Sequence, residues 1–404
     1  MERLPCKLAI VTHIVPPATV GSAMRYYRLL KDTDPDDYCL LISRDYHGMH
    51  EPHKLDGSLS GKHYRLLPEQ VLSAPRSTPW LGPAVHFTNH VLRVLKRARN
   101  ISGFVKREKC QAIMGLSGDL HDLPAGYIAS LWCRIPFYAA VDDYYSYQWT
   151  DPLDRLFARL VEPILLKGSS GILVINEFLR DDYKRRYHIT PLLVRNPYES
   201  ISAAGDFDEP RYKGDGETGI VFTGSIYHAN HDAFQNLAEA MRVLNSSGLR
   251  LHVFTSQPFE ELKLEENGIW GPIVLHRGVS PNESLQVQSR ADILFLPLGF
   301  DTGIPEVIRT SAPFKMAEYM SSGTPILVYA PPDTYLSWYF RKYECGLVVN
   351  SNKPEEITEA IKRLLTDPNL RYRLTTSALT RARADFSIEL SQVTFRKLFK
   401  TCKK

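Results

Sequence analysis

The feature that most constrains the fold is a repeated alternation of short apolar runs with helical patterns. It occurs twice along the 404 residues, and a polar, glycine-rich stretch after Asn196-Pro197 separates the two series. Each apolar run has the length of a strand and precedes a segment with helical periodicity, which indicates βαβ units and a parallel sheet. The sequence therefore predicts an α/β fold of two Rossmann-like domains facing across a cleft.

The polar stretch sets the expected domain boundary. Residues 1–200 are predicted to form the first domain and residues 201–384 the second, with a C-terminal helix at 385–404 returning to the first domain. Residues 46–85 are polar and rich in proline, and we interpret them as a long excursion. Because ligands of such sheets bind beyond the carboxyl ends of the strands, a ligand is expected between the domains.

Composition and cysteine usage narrow the class of protein. A net charge of +4 is too small for a dedicated nucleic-acid binder, so no nucleic-acid partner is expected. No apolar run reaches the ~20 residues that cross a bilayer, and the N-terminal segment is too mixed for a signal peptide. The six cysteines form no CxxC pair, which predicts free thiols, no zinc site and a cytoplasmic protein.

The segment SAPFKMAEYMSSG, residues 311–323, predicts a helix that begins near Pro313 and ends before Gly323. It carries Lys315 and Glu318 three residues apart. Because the helix follows the strand DILFLPL, its N-terminus should lie at the carboxyl edge of a sheet. There a lysine suits a phosphate, and a carboxylate can accept hydrogen bonds from a ribose diol. A surface ion pair explains the same spacing.

A second motif lies at the start of the second series. In FTGSIYHAN, residues 222–230, a strand turns at Gly224-Ser225 and leads into a helix. Gly224 has no side chain, so the backbone can approach a pyrophosphate closely. Ser225 adds a hydroxyl group and a backbone N–H. The two motifs together favour a nucleotide site in the second domain.

These motifs resemble the donor half of the retaining glycosyltransferases of family 4 and their relatives, which have the GT-B fold. The matching residues are Gly224, Ser225, Asn230, Asp232, Pro297, Pro313, Lys315, Glu318, Tyr319, Gly323 and Pro325. In the first half, PPATVGSAM resembles the loop after the first strand of that fold, with Gly21 as its glycine. The resemblance spans nearly the whole chain.

The resemblance implies a nucleotide-diphosphate sugar as donor and a glycan or lipid-linked acceptor, as in polysaccharide or glycolipid assembly. It implies retention of the anomeric configuration, with no metal and no other cofactor. The candidate catalytic residues are His121, Lys315 and Glu318. The candidate donor-binding residues are Gly21, Gly224, Ser225, His228, Arg277, Pro313, Lys315 and Glu318.

The sequence also departs from the family. Where the family has the first of two glutamates, this chain has Thr310, and the usual Arg and Lys pair after the first donor strand is absent. His228 and Lys315 are the nearest cationic candidates. Asp301, Thr302 and Glu306 are expected on the loop before the Lys315 helix, near the sugar.

Two further expectations concern membranes and alternative functions. The basic tract at 93–109 could hold the protein to anionic lipid headgroups, as a peripheral membrane protein. A nucleotide-sugar epimerase of the same fold, or a relative that binds nucleotide sugars without chemistry, would fit the same motifs. A dinucleotide oxidoreductase is least favoured, because no G-x-G-x-x-G follows either first strand.

Overall fold

The structure is a computed structural model. It describes residues 2–16, 21–44, 59–67, 82–199, 213–214, 216–246, 248–400 and 402. The chain divides into two compact units, Met1–Arg195 with Glu389–Lys404, and Asn196–Ile388. Most of the predicted excursion and most of the predicted linker lie outside the described residues.

The first unit is built on a parallel sheet. Within the described residues the sheet has seven strands, in the order β3-β2-β1-β4-β5-β6-β7. The strands are β1 (Leu8–Thr12), β2 (Tyr38–Ile42), β3 (Lys62–Arg65), β4 (Ala112–Leu116), β5 (Phe137–Val141), β6 (Gly171–Val174) and β7 (Leu192–Leu193). Every residue of β1, β2, β4 and β5 is buried, because helices cover both faces of the sheet. The order reverses between β1 and β4, which makes their carboxyl ends the switch point.

The second unit repeats this plan. Its described strands form a six-stranded parallel sheet in the order β10-β9-β8-β11-β12-β13. The strands are β8 (Thr218–Thr223), β9 (Leu249–Thr255), β10 (Ile273–Arg277), β11 (Ile293–Pro297), β12 (Ile326–Tyr329) and β13 (Leu347–Val349). Here the order reverses between β8 and β11. The switch point of this unit therefore lies at Thr223 and Pro297.

Helices connect the strands. Those of the first unit are α1 (Gly21–Leu30), α2 (Gly82–Glu108), α3 (Asp122–Cys133), α4 (Pro152–Gly168) and α5 (Glu177–Tyr187), with a 3₁₀ turn at Pro35–Asp37. Those of the second unit are α6 (His231–Leu244), α7 (Phe259–Leu262), α8 (Pro281–Ser289), α9 (Pro305–Thr310), α10 (Lys315–Ser321), α11 (Tyr335–Tyr343), α12 (Pro354–Thr366) and α13 (Pro368–Phe386). Polar side chains cap the N-termini of several of these helices. Asp151 accepts from two backbone N–H groups of α4, and Ser280 with Glu283 forms a capping box on α8.

The last helix, α14 (Ile388–Lys397), returns to the first unit as predicted. Gln392 Nε2 donates hydrogen bonds to the Arg28 carbonyl and to Asp32 Oδ2, both at 2.9 Å. Phe395 and Phe399 belong to the hydrophobic core under the first sheet. The helix is therefore held by both apolar packing and hydrogen bonds.

The cysteine prediction is wrong in part. Cys6 and Cys402 form a disulfide between residues 396 positions apart in the sequence. Cys39, Cys110, Cys133 and Cys345 are free thiols, as expected. No spacing rule could find this pair, because only the return of the C-terminal segment brings the two residues together.

Three elements differ from the sequence prediction. β3 lies within the predicted excursion. It was missed because its KHYR sequence is polar and mostly exposed. Helix α2, which carries the basic tract, begins at Gly82 within the predicted excursion, and α9 occupies part of the predicted loop before the Lys315 helix. No helix among the described residues combines the length and apolar character that a membrane span requires.

Candidate active site

The switch point of the second unit carries the Gly224 turn. β8 ends at Thr223, and Gly224 follows with φ of 134°, a backbone conformation that favours glycine. The Gly224 N–H donates to the Phe254 carbonyl at 2.8 Å, which ties the turn to the neighbouring β9. Asn230 and Gln257 hold the loop that follows. The Tyr227 N–H donates to Asn230 Oδ1 and the Ile226 N–H to Gln257 Oε1.

Lys315 reaches the same turn from α10. A β-carbon at position 224 would lie 2.7 Å from Lys315 Nζ, which is closer than van der Waals contact allows. The ammonium group also lies 3.9 Å from the centre of the Phe222 ring, in a cation–π contact. The structure therefore brings the two sequence motifs together within one unit, with the lysine charge directly at the glycine turn.

The charge on Lys315 is poorly solvated. Burial lowers the pKa of Lys315 to about 7, although the nearby Glu318 carboxylate acts in the opposite direction. A desolvated ammonium gains more from an arriving anion than a fully hydrated one does. The electrostatics of this position therefore suit an anionic ligand.

Helix α10 is held in place by Tyr319. The Thr223 N–H donates to Tyr319 Oη at 2.9 Å, and Gln288 Nε2 donates to Thr223 Oγ1 at 3.2 Å. Met316, Ala317, Tyr319 and Met320 of α10 are buried. The tyrosine of the motif therefore fixes the lysine and the glycine turn relative to each other. Sequence reasoning gave Tyr319 no such role.

The start of the helix differs from the prediction. α10 begins at Lys315 rather than near Pro313 and has only seven residues, so its dipole contributes less than expected. α9 precedes it, so Glu306 lies in a helix and not in the predicted loop. The stop is as predicted, with Gly323 at φ of 78°.

Two residues of α9 are relevant to the family's first glutamate, which this chain lacks at position 310. Thr310 is fully buried, and its hydroxyl donates to the backbone carbonyls of Glu306 and Val307, each at 3.3 Å. Glu306 Oε2 is buried and accepts no hydrogen bond within the described part of the chain. Of these two positions, the carboxylate available to a ligand is therefore at 306 and not at 310.

The remaining candidates of the second unit lie at or near the sheet edge. Ser225 and His228 are exposed just beyond Gly224, and Glu318 and Pro313 are half-buried on and before α10. Arg277 is exposed at the end of β10, an edge strand separated from β8 by β9. Asp232 accepts from the Phe300 and Asp301 N–H groups at 2.6 and 3.1 Å, so it shapes the loop after β11.

His121 lies beyond β4, at the switch point of the first unit. It is buried and occupies the N-cap position of α3 without a side-chain capping bond. Its Nε2 lies 3.0 Å from His90 Nδ1, and its backbone N–H donates to Asp119 Oδ1 at 2.9 Å. His13, which follows β1, packs against Gly118, where a β-carbon would lie 1.8 Å from the imidazole ring.

Two carboxylates beside His121 are already paired. Arg97 contacts Asp119 at 2.6 Å and Asp122 at 2.5 Å, and Arg44 contacts Asp119 at 2.9 Å. Burial and the Asp119 charge raise the pKa of Asp122 to about 7, against the opposing effect of Arg97. Burial alone would raise the pKa of Asp119, but His121 and Arg97 hold that pKa well below its usual range.

Gly21 is the first residue of α1 and is half-buried. The helix is anchored beneath it by Arg25, which is buried, contacts Asp142 and donates to the Val194 carbonyl at 2.7 Å. The residues just before Gly21 are outside the described structure. The predicted role of Gly21 at a sugar phosphate stays a prediction.

One protein family and several solved structures are similar to this chain. Residues 217–367, all in the second unit, match the family described as "Glycosyl transferases group 1". No curated protein sequence matches this chain. Sucrose-phosphate synthase from Thermosynechococcus elongatus has a similar structure, with 13% identity over 98% of both chains and a TM-score of 0.70.

Two other structures extend this likeness. Anabaena HepE in complex with UDP-glucose has 11% identity over 98% of this chain and all of HepE, with a TM-score of 0.67. WaaG, a glycosyltransferase involved in lipopolysaccharide biosynthesis, has 14% identity over 97% of this chain and all of WaaG, with a TM-score of 0.61. The chain has the GT-B fold. The predicted fold class is confirmed, and the family match supports a glycosyltransferase.

Proposed function

We propose that this protein transfers a sugar from a nucleotide-diphosphate sugar to a glycan or lipid-linked acceptor. The observation that carries the proposal is the contact of Lys315 with the Gly224 turn at the switch point of the second unit. The match of residues 217–367 to a glycosyltransferase family supports it. So does the similar structure of HepE, which contains UDP-glucose.

The leaving diphosphate is the group that this site would stabilise. As the glycosidic bond to phosphate breaks, negative charge develops on the phosphate oxygens. Gly224 leaves room for a phosphate because it has no side chain. Lys315 supplies a positive charge already held in place by Tyr319 and Phe222. The anion would raise the pKa of Lys315 again, so the complex contains the charged lysine. This mechanism uses no metal ion at the diphosphate.

The rest of the nucleotide sugar would contact the surrounding residues. Glu318 accepts hydrogen bonds from the ribose hydroxyls, and the backbone beside Pro313 and Ser225 lies along the nucleotide. His228 and Arg277 are exposed on the same edge of the sheet, and the Arg277 guanidinium adds positive potential. Glu306, with its unbonded carboxylate oxygen, replaces the missing glutamate at 310 and contacts the sugar.

Transfer proceeds with retention of the anomeric configuration. The bond between the anomeric carbon and the phosphate oxygen breaks, and the acceptor oxygen bonds to that carbon on the same face. The acceptor proton passes to the leaving phosphate oxygen. The reaction therefore needs no pair of carboxylates of the glycosidase kind.

The first unit would bind the acceptor, and the second unit the donor. His121 is positioned by His90 and Asp119 and would act on the acceptor side, near the sugar. Gly21 would leave space for the sugar phosphate at the start of α1. This assignment is the one expected from the sequence, with the acceptor on the first unit and the donor on the second.

The protein would act in the cytoplasm as a peripheral protein on an anionic membrane. α4 exposes Leu156, Leu160 and Ile164 at successive turns, each at least 50% exposed. α2, which packs beside α4, exposes Phe87, Val91 and Leu95 at the same spacing. Basic side chains of 93–109 follow on α2. Apolar side chains next to basic ones are typical of helices that lie on anionic lipid.

The donor is found by incubating the protein with a panel of UDP-, GDP-, ADP- and CMP-sugars and detecting binding by mass spectrometry. Transfer of the bound sugar to polysaccharide or lipid-linked acceptors is then measured. Turnover of the donor alone into an isomer would favour an epimerase. One structural neighbour is a putative UDP-N-acetylglucosamine 2-epimerase from Listeria monocytogenes, with 11% identity and a TM-score of 0.58. Binding without any turnover would indicate a non-catalytic relative.

A further inference from the structure

Three side chains that form no part of the proposed donor site meet between α2 and α4. His86 and His90 are one turn apart on α2, and Asp154 lies in the first turn of α4. His86 Nε2 lies 2.8 Å from Asp154 Oδ1, and His90 Nε2 lies 3.1 Å from the same oxygen. Their candidate ligand atoms all lie within 4.8 Å of one another.

This spacing is close to that of a metal site. Zinc bonds of about 2.0–2.2 Å in a tetrahedral arrangement place neighbouring ligand atoms ~3.3 Å apart. The two observed distances differ from this by a few tenths of an ångström, which side-chain rotation can supply. Two imidazoles and one carboxylate form a ligand set that zinc accepts, with a fourth position left for water.

The His90 ring points to a ligand rather than to a simple hydrogen bond. His90 is 2% exposed, and its Nε2 is buried and makes no hydrogen bond despite its short distance to Asp154. The ring stacks on Phe157, with centroids 4.7 Å apart and planes 27° apart, so its direction is fixed. A buried imidazole nitrogen held towards two other ligand atoms is the geometry of a prepared metal ligand.

A chain of contacts behind His90 fixes the tautomer that a metal needs. His121 Nδ1 lies 3.6 Å from Asp119 Oδ1, which favours a proton on Nδ1 and leaves Nε2 as an acceptor. His90 Nδ1–H can then donate to His121 Nε2 across 3.0 Å. This leaves the lone pair of His90 Nε2 directed at Asp154. A metal-ligating histidine usually donates its other ring N–H to an acceptor that orients the ring, and here His121 Nε2 is that acceptor.

We propose that the first unit binds a divalent ion of the zinc type through His86 Nε2, His90 Nε2 and Asp154 Oδ1. The ion joins α2 to the start of α4 and stabilises the first unit. This site is independent of the donor site, since it uses no residue of the second unit. The proposed site also assigns a role to the His90–His121 contact, which is to orient His90 towards the ion. The sequence did not reveal this role.

The test uses the full-length protein without an affinity tag, freed of metal by chelator and dialysis. Cobalt is titrated in and followed by its visible d–d absorption, and zinc is then added as a competitor. We expect one equivalent of cobalt to bind in a low-symmetry four- or five-coordinate site and to be displaced by zinc. Zinc should also raise the melting temperature.

Two variants keep the test independent of folding. His86 and Asp154 have side chains 39% and 28% exposed, so His86→Gln and Asp154→Asn should fold, as circular dichroism would verify. Each should weaken cobalt binding at least tenfold. His188→Asn, at an exposed histidine of the same unit, should bind as the unchanged protein does. The proposal is overturned if no stoichiometric absorption appears, or if His86→Gln binds cobalt as tightly as the unchanged chain.

Discussion

The two units present the same edge of the same kind of sheet, but their charges are arranged differently. At the switch point of the first unit, Asp119 and Asp122 are buried against Arg97, and Arg44 reaches Asp119 from the surface. At the switch point of the second unit, Lys315 is poorly solvated and contacts an aromatic ring and a glycine turn.

The difference indicates at which switch point a bound ligand would gain binding free energy. A buried charge that is already paired contributes to folding, and its removal leaves an uncompensated partner. A desolvated cation beside a glycine turn, which the nearby Glu318 compensates only in part, still gains from an anion that binds. The first switch point is therefore a structural cluster that positions His121, whereas the second is suited to a diphosphate.

The largest effect is expected on stability in the first unit. Arg97→Met leaves Asp119 and Asp122 buried without their shared cation, so the free energy of unfolding should fall by about 3–5 kcal/mol. Thermal unfolding measures this, with Arg99→Met on the exposed face of the same helix as the control. An equal, small change in both variants would mean that the cluster is solvated and the comparison fails.

Lys315→Met should behave in the opposite way. We expect kcat/KM for sugar transfer to fall by roughly 10²–10³, because the developing charge on the diphosphate loses its cation. The melting temperature should stay the same or rise, because a desolvated charge is removed. Lys353→Met, an exposed lysine of the same unit, serves as the control. Loss of stability together with activity would make Lys315 a structural residue.

Glu318→Ala should have a smaller effect, confined to donor binding. Hydrogen bonds to a charged group contribute about 1.5–3 kcal/mol, so donor affinity should drop by about one to two orders of magnitude. Calorimetric titration measures it, beside the exposed Glu260→Ala. Unchanged affinity in Glu318→Ala would leave only the surface ion pair that its spacing also allows.

The smallest effect per substitution is expected on membrane binding. Each basic side chain at an anionic surface contributes about 1 kcal/mol, which salt screens. Leu160→Ser on the exposed face of α4 should reduce the fraction of protein that sediments with anionic vesicles. Val243→Ser in the second unit should leave that fraction unchanged. Binding that is independent of both salt and lipid charge would argue against this surface.

The sequence predicted most of the second unit because its strands are apolar runs between turns. The Gly224 and Lys315 motifs could be found separately, and the structure brings both to the switch point of the second unit. Their contact could not be predicted, because it depends on how α10 packs on β8. The role of Tyr319 in that packing was missed for the same reason.

The first unit was harder to predict. His121 could be singled out, but His90 lies 31 residues away and meets it only because α2 packs on α3. β3 has no apolar pattern, since it is a short edge strand with most of its side chains facing solvent. The Cys6–Cys402 pair depends on the return of the chain end. For His90 and for the disulfide, the missing information is a packing contact between distant segments.

If Lys315 binds the diphosphate, donor binding should be coupled to proton uptake, and this coupling is the most direct test. With a pKa of about 7 before binding, Lys315 is mostly neutral at pH 8. A bound diphosphate would favour the protonated lysine, so binding a nucleotide-diphosphate sugar at pH 8 should take up most of a proton from solution. Affinity should fall as pH rises above 7, because binding needs the protonated form. Calorimetry in buffers of different ionisation enthalpy measures this uptake. We expect it in the unchanged protein and its loss in Lys315→Met; binding with no proton uptake, or equal uptake in both, would contradict the account.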